Sequence, residues 1–237
     1  MATSKNVAEV ERNHNSEALH TPEEAMALVK SLSYAKFDES VDIVFNLGID
    51  SRHAEQIVRG TVSLPHGTGK DIKVAVFAND QAKAAEEAGA DLVGGQDLAD
   101  RITSGDVPLD WDVTIATPDM MSVVGKLGQL LGPRGLMPNP KSGTVTNDVA
   151  KTVGEFKSGR VEYRNDRYGN VHIPTGRVSF DGDKLVDNFV AIADEIARSR
   201  PASTKGIFIK KISVSSTMGP GIKIDTSAVT DLIKSRR

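Results

Sequence analysis

Residues 40–47 alternate apolar and polar, with Val41, Ile43, Phe45 and Leu47 on one face, which predicts a half-buried strand. Just upstream the period changes. Thr21-Pro22-Glu23-Glu24 reads as a helix start: Thr21 caps, Pro22 suits the first turn and Glu24 completes a capping box. Ala25, Met26, Leu28, Val29 and Leu32 follow at helical spacing, so this face is expected in the core. A second strand is expected over 59–64, and Pro65-His66-Gly67-Thr68-Gly69 then breaks the pattern as a turn-rich linker.

After Lys70 the rhythm becomes βα. The apolar run 72–78 reads as a strand covered on both faces. Asn79-Asp80 is placed to cap a helix over 81–88 that Gly89 ends. A short strand over 91–95, a helix over 97–103, a strand over 111–116 and a helix over 119–131 complete three βα units, hence a small parallel sheet. Pro and Gly punctuate 132–140, and a helix over 148–156 leads to Lys157-Ser158-Gly159. Beyond it, 160–163 and 170–173 flank the turn 165–169 and predict a hairpin. A helix over 183–198 carries Val186, Phe189, Val190, Ala193 and Ile196 on its core face. A strand follows over 206–214, a short one over 222–224, and the tail to 237 is expected to fray.

The expected fold is α/β with two domains. A discontinuous two-layer domain comprises 1–70 and 157–237, and a Rossmann-like parallel-sheet domain, 71–156, is inserted into it. A two-point connection makes the insert a hinged lobe, with Gly67, Gly69, Lys157, Ser158 and Gly159 as hinge candidates.

Charge supports that division. The 237 residues carry a net −3, yet 71–156 hold 7 Lys/Arg against 13 Asp/Glu, while 157–237 hold 15 against 9. An acidic insert between segments that are together basic suggests two surfaces of different character. Cysteine is absent, which excludes disulfides, thiolate zinc sites and a cysteine nucleophile. No apolar run reaches the ~18–20 residues of a membrane span, and the polar segment 1–20 does not read as a secretory signal; a soluble intracellular protein is expected.

Enzyme signatures fail one by one. Gly67-Thr68-Gly69-Lys70 resembles the end of a phosphate loop, but Leu64 stands where its first glycine belongs and Asp71 where Ser/Thr should follow. Ala78-Asn79-Asp80 occupies the place of a dinucleotide-binding glycine cluster. His14, His20, His53, His66 and His172 form no zinc-protease spacing, and no nucleophile elbow occurs. No catalysis, cofactor or metal is expected.

Four stretches change the picture: 35–50, containing Ala35-Lys36-Phe37-Asp38-Glu39-Ser40; 58–70; Lys126 to Lys141, with Gly132-Pro133-Arg134-Gly135-Leu136-Met137-Pro138-Asn139-Pro140; and Val214 to Gly221, with Ser216-Thr217-Met218-Gly219. Together, in order from about residue 5 to 225, they closely resemble the universal large-subunit ribosomal protein family numbered one, in its bacterial form. The resemblance implies a non-enzymatic protein of the cytoplasmic ribosome, bound to 23S rRNA on the mobile stalk beside the exit site. It further implies contact with deacylated tRNA and help in its release, plus repression of the protein's own operon through an mRNA structure that mimics the rRNA site. Neither a membrane nor DNA is expected as a partner.

The same resemblance puts the RNA surface on the discontinuous domain, around Lys36, Phe37, Ser216, Thr217, Met218 and Gly219. Each residue suits that role. Lys36 neutralises phosphate, and Phe37 either stacks on a base or anchors the core. Ser216 and Thr217 are potential donors to phosphate or 2′-hydroxyl oxygens, Met218 offers an adaptable apolar contact, and Gly219 admits close backbone approach. Ser40, His172 and Lys205 join the set from predicted strand ends and loops. For the insert, tRNA contact is expected to be local, through Lys126 or Arg134.

Overall fold

The computed structural model describes residues 14–79 and 81–235; Asp80, the segment 1–13 and the last two arginines lie outside it. The chain divides into two compact units. One runs to Gly69 and resumes at Val161; the other spans Lys70–Arg160. Among the described residues ten strands occur in chain order: β1 (Leu19–His20), β2 (Ser40–Leu47), β3 (Arg59–Ser63), β4 (Val74–Phe77), β5 (Leu92–Gly94), β6 (Val113–Ala116), β7 (Arg160–Arg164), β8 (Asn170–Arg177), β9 (Ile209–Ser216) and β10 (Ile222–Ile224).

In the first unit a sheet of order β1-β10-β9-β2-β8 has β2 between two antiparallel neighbours. Its strict alternation puts Val41, Ile43, Phe45 and Leu47 into the core. Helices cover that face. Pro22–Leu32 begins with the expected capping box, in which Thr21 and Glu24 bond each other's backbone N–H, and buries Ala25, Met26 and Val29. Gly182–Arg198 buries Leu185, Phe189, Ile192 and Ile196, and the Phe189 ring stacks on Phe45 with centroids 6.4 Å apart. The opposite face of the sheet is open, because Asp42, Asn46, His172 and Lys211 occupy the alternate positions.

In the second unit β5-β4-β6 form a parallel sheet. All four residues of β4 are buried, as the apolar run requires. Val74 and Val76 face Ile115, Val149, Val153 and Phe156, whereas Ala75 and Phe77 face Leu98, Trp111 and Ala116 on the other side.

Several expectations are corrected. The strands around the turn 165–169 do not form a hairpin: β7 pairs with β3, while β8 pairs with β2, and only an isolated Asn165–Val171 bridge joins them. The cause is Asn165, whose amide oxygen accepts the Val58 N–H at 2.8 Å while its own N–H donates to the Val58 carbonyl, tying this end of β7 to the β3 side. The helix expected over 119–131 is a series of short turns, Met121–Val124 and Gly128–Leu131 being α-helical, with Gly125 and Gly128 at the breaks. As far as Ser235 the tail expected to fray is a helix, Thr226–Ser235, with Val229 in the core. The strand expected over 206–214 is β9, which starts at Ile209 after Gly206 turns with φ +77°. A bulge beside Leu47–Ile209 then leaves Lys210 and Lys211 exposed in succession. The capping role given to Asp80 falls outside the described residues. Gln81, which precedes the helix Ala82–Glu87, makes no side-chain cap bond.

Candidate nucleic-acid interface

At one end of the five-stranded sheet, β2 begins beside the end of β9. Val41 is opposite Ser216 there, and Ser40 is opposite Arg177 of β8. Two loops meet at this end, 33–39 and 217–221. Between them lies Glu39, a fully buried carboxylate. Its two oxygens divide the loops. Oε1 accepts the Ser33 hydroxyl at 2.6 Å and the Ala35 N–H at 3.2 Å. Oε2 accepts the Ser216 hydroxyl at 2.7 Å and the Met218 N–H at 2.8 Å. Burial opposes ionisation, but these donors, Ser33 foremost, outweigh it and bring the carboxyl down to about 2.

Further bonds tie the same loops. The Tyr34 hydroxyl donates to the Met218 carbonyl at 3.0 Å, and the Ser40 N–H donates to Thr217 Oγ1 at 3.0 Å. Asp38 accepts both the N–H and the hydroxyl of Ser179, at 3.0 and 2.8 Å. The Arg177 guanidinium donates to the Asp38 carbonyl at 3.0 Å.

This scaffold decides what faces outward. Phe37 is 56% exposed and Met218 53%, so Phe37 is not a core anchor; Lys36 and Thr217 are exposed with them. Large apolar side chains held open on hydrogen-bonded loops mark a contact surface better than scattered surface residues do.

Other predicted residues fall differently. Ser216 is buried and gives its hydroxyl to Glu39 while accepting the Gly219 N–H at 3.1 Å, so its donor is spent inside the protein; this corrects the expected outward role. The Gly219 requirement likewise comes from within, since a Cβ there would lie 2.5 Å from Ser216 Oγ. Ser40 is half-buried beside Thr217. His172 is exposed on the open sheet face opposite Val44, four residues into β2 from Ser40, or about 13 Å by strand rise. Near it, burial pushes the Asp42 carboxyl up, with His172 opposing. Lys205 precedes β9, whereas Ser216 ends it; about 25 Å of strand separates Lys205 from the paired loops, and it does not join them.

The linker candidates have the following geometry. Gly67 and Gly69 have φ +65° and +69°, and Gly159 has +112°. Lys157 is the last residue of the helix Val149–Lys157, its ammonium 2.8 Å from Asp91, and Ser158 is the C-cap, so both belong to a helix end.

Sequence reasoning missed Glu39, Asp38, Ser33 and Tyr34. The adjacent acids Asp38-Glu39 were visible, but nothing in the chain distinguishes a buried acceptor from a solvated carboxylate.

The second unit has a pocket of its own. A cavity of about 130 Å³ at the C-terminal ends of β4 and β6 is lined by Asn79, Gln81, Thr117, Asp119, Met120 and Asn147. Gln81 spends its amide on the Asn147 carbonyl and the Val149 N–H. Among the described residues no group of His, Asp or Glu could hold a metal, and no helix is long and apolar enough to cross a membrane. Lys126 and Arg134 are exposed, and Arg134 donates to the Leu109 carbonyl at 3.1 Å.

Residues 29–220, a span containing Glu39 and all four of its donors, match the family described as Ribosomal protein L1p/L10e. The chain belongs to that family. Curated relatives agree along nearly the whole length. Large ribosomal subunit protein uL1 of Cutibacterium acnes is 56% identical over 218 residues, covering 92% of this chain and 93% of the relative. The protein of the same name from Nocardioides sp. is 53% identical over 226 residues, covering 95% and 93%. That of Thermobifida fusca is 51% identical over 235 residues, covering 99% of each. Membership gives the paired loops their context: Glu39 lies 177 and 179 positions before its partners Ser216 and Met218, and all three fall within the matched stretch.

Proposed function

We propose that the chain is a structural, non-enzymatic constituent of the large ribosomal subunit that binds 23S rRNA at the mobile stalk through the paired loops of its first unit. One observation carries the reading. Phe37 and Met218 stand exposed on two loops that share a single buried carboxylate, next to Lys36 and Thr217. An aromatic ring, a thioether and a cation on a preorganised support suit a ribose or base face beside a phosphate. The relatives are named as large-ribosomal-subunit proteins, and the RNA proposed here is the RNA of that subunit.

On this reading Lys36 and Phe37 meet the RNA with Thr217 and Met218. Ser40 and Gly219 shape the backbone, and His172 extends the surface along the open sheet face. The same surface takes the protein's own operon mRNA, which makes the chain a translational repressor. The second unit meets deacylated tRNA in the exit site through Lys126 or Arg134 and assists its release, with Gly67, Gly69 and Gly159 as hinge positions. The working location is the cytoplasmic ribosome.

Sucrose-gradient sedimentation of a cell extract tests the assignment. The chain should co-migrate with large subunits and polysomes and leave them at high salt. Migration only at the top of the gradient at low salt would overturn it. For the shared surface, Thr217→Ala and Met218→Ala should weaken rRNA and mRNA binding together; loss of one alone contradicts a common site.

A further inference from the structure

Glu39 is unusual on two counts. It is fully buried, and no basic side chain pairs with it among the described residues; its charge is held only by hydroxyl and N–H donors. A buried carboxylate without a cation is costly unless its lone pairs are satisfied. Here four donors satisfy them, two per oxygen, and each oxygen serves one loop. The carboxylate therefore sets the spacing between the loop that bears Lys36 and Phe37 and the loop that bears Met218.

We infer that Glu39 is a positioning residue for RNA capture: it never touches the RNA, yet it fixes the mutual placement of the two contacting loops. This rests on the RNA surface proposed above. The chemistry makes the inference sharp, because two physical effects have opposite signs. Glu39→Gln removes a negative charge from beneath a surface that receives phosphates, and electrostatics alone would strengthen binding. Positioning predicts the reverse. A glutamine offers one oxygen where the carboxylate offers two, and its NH2 must face either the Ala35 or the Met218 N–H. The serine hydroxyls are free to turn and accept, but a backbone N–H is not, so one loop loses its anchor.

The experiment measures the affinity of the full chain for a transcribed stalk fragment of large-subunit rRNA at two salt concentrations. It compares wild type, Glu39→Gln, Phe37→Ala and Met218→Ala, with amide hydrogen exchange followed at Ala35 and Met218. The expected result for Glu39→Gln is binding at least tenfold weaker with an unchanged salt dependence, and faster exchange at one of the two amides. Equal or tighter binding by the folded variant, while Phe37→Ala and Met218→Ala bind more weakly, overturns the positioning role and leaves the RNA surface standing. If neither of those two exposed-residue variants loses affinity, the surface itself is wrong and the inference falls with it. Should Glu39→Gln fail to fold, Ser33→Ala decides: it removes one donor to Oε1, and several-fold weaker binding is expected, whereas unchanged binding overturns the role.

Discussion

Asn188 and Thr175 share a buried hydrogen bond, the Asn188 Nδ2 lying 2.7 Å from the Thr175 carbonyl. The same amide donates to the Gly67 carbonyl at 2.9 Å, and its Oδ1 accepts the His66 N–H at 3.1 Å. One side chain thus ties the helix Gly182–Arg198 to β8 and to the segment through which the chain leaves the first unit. Asn188→Ala should cost about 2–3 kcal/mol, because backbone groups under a fully buried residue lose their partners. Urea unfolding checks this; a change below ~0.5 kcal/mol would place the site among ordinary surface positions.

Phe37→Ala separates contact from core. Its ring is more than half exposed, so stability should change by less than ~0.5 kcal/mol. Affinity for the rRNA fragment should fall by about 1–3 kcal/mol if the ring stacks on a base. A lowered melting point with unchanged affinity would reverse the assignment.

Acid unfolding reads Glu39 directly. Its carboxyl sits at about 2 in the folded chain against an ordinary 4.5, so the folded pKa is the depressed one. The stability this confers, on the order of 3 kcal/mol, is present above pH ~4.5 and is lost as pH falls through about 2. Wild type should therefore lose stability more steeply than Glu39→Gln between pH 4.5 and 2.5, since the other acids are common to both and cancel. Parallel curves would show that the carboxylate is not held low.

Two glycines make a matched pair. Gly69 has φ +69°, and an added Cβ would lie 2.8 Å from the Phe180 ring, so Gly69→Ala should cost about 1–2 kcal/mol. Gly182 opens a helix with nothing within 4 Å of its would-be Cβ, and Gly182→Ala should be neutral or stabilise by about 0.4–1 kcal/mol. Urea midpoints of the two variants should move apart; movement in the same direction contradicts the backbone argument.

Much of the fold was legible where periodicity is local. The alternation of β2, the capping box at Thr21 and the doubly covered β4 follow from residues a few positions apart. Partner choice was not legible. The pattern states which face of a strand is buried, not which strand lies beside it, so the sequence suggests a β7–β8 hairpin, whereas Asn165 bonds Val58 and β7 lies beside β3. The C-terminal helix was missed because its stability comes from Val229 docking into a core built by distant segments. At the site, the motifs led to both loops and to their exposed side chains. The carboxylate joining them stayed hidden, because burial of Glu39 depends on Ser216 and Met218, more than 170 positions away.

Affinity of the full chain for a stalk fragment of large-subunit rRNA, titrated across a salt series with excess nonspecific competitor RNA, probes RNA recognition most directly. Tight binding that survives competitor and weakens steadily as salt rises is expected, the mark of specific recognition with phosphate contacts. A folded sample that does not bind, or whose binding the competitor abolishes, would contradict an RNA surface at Lys36, Phe37, Thr217 and Met218.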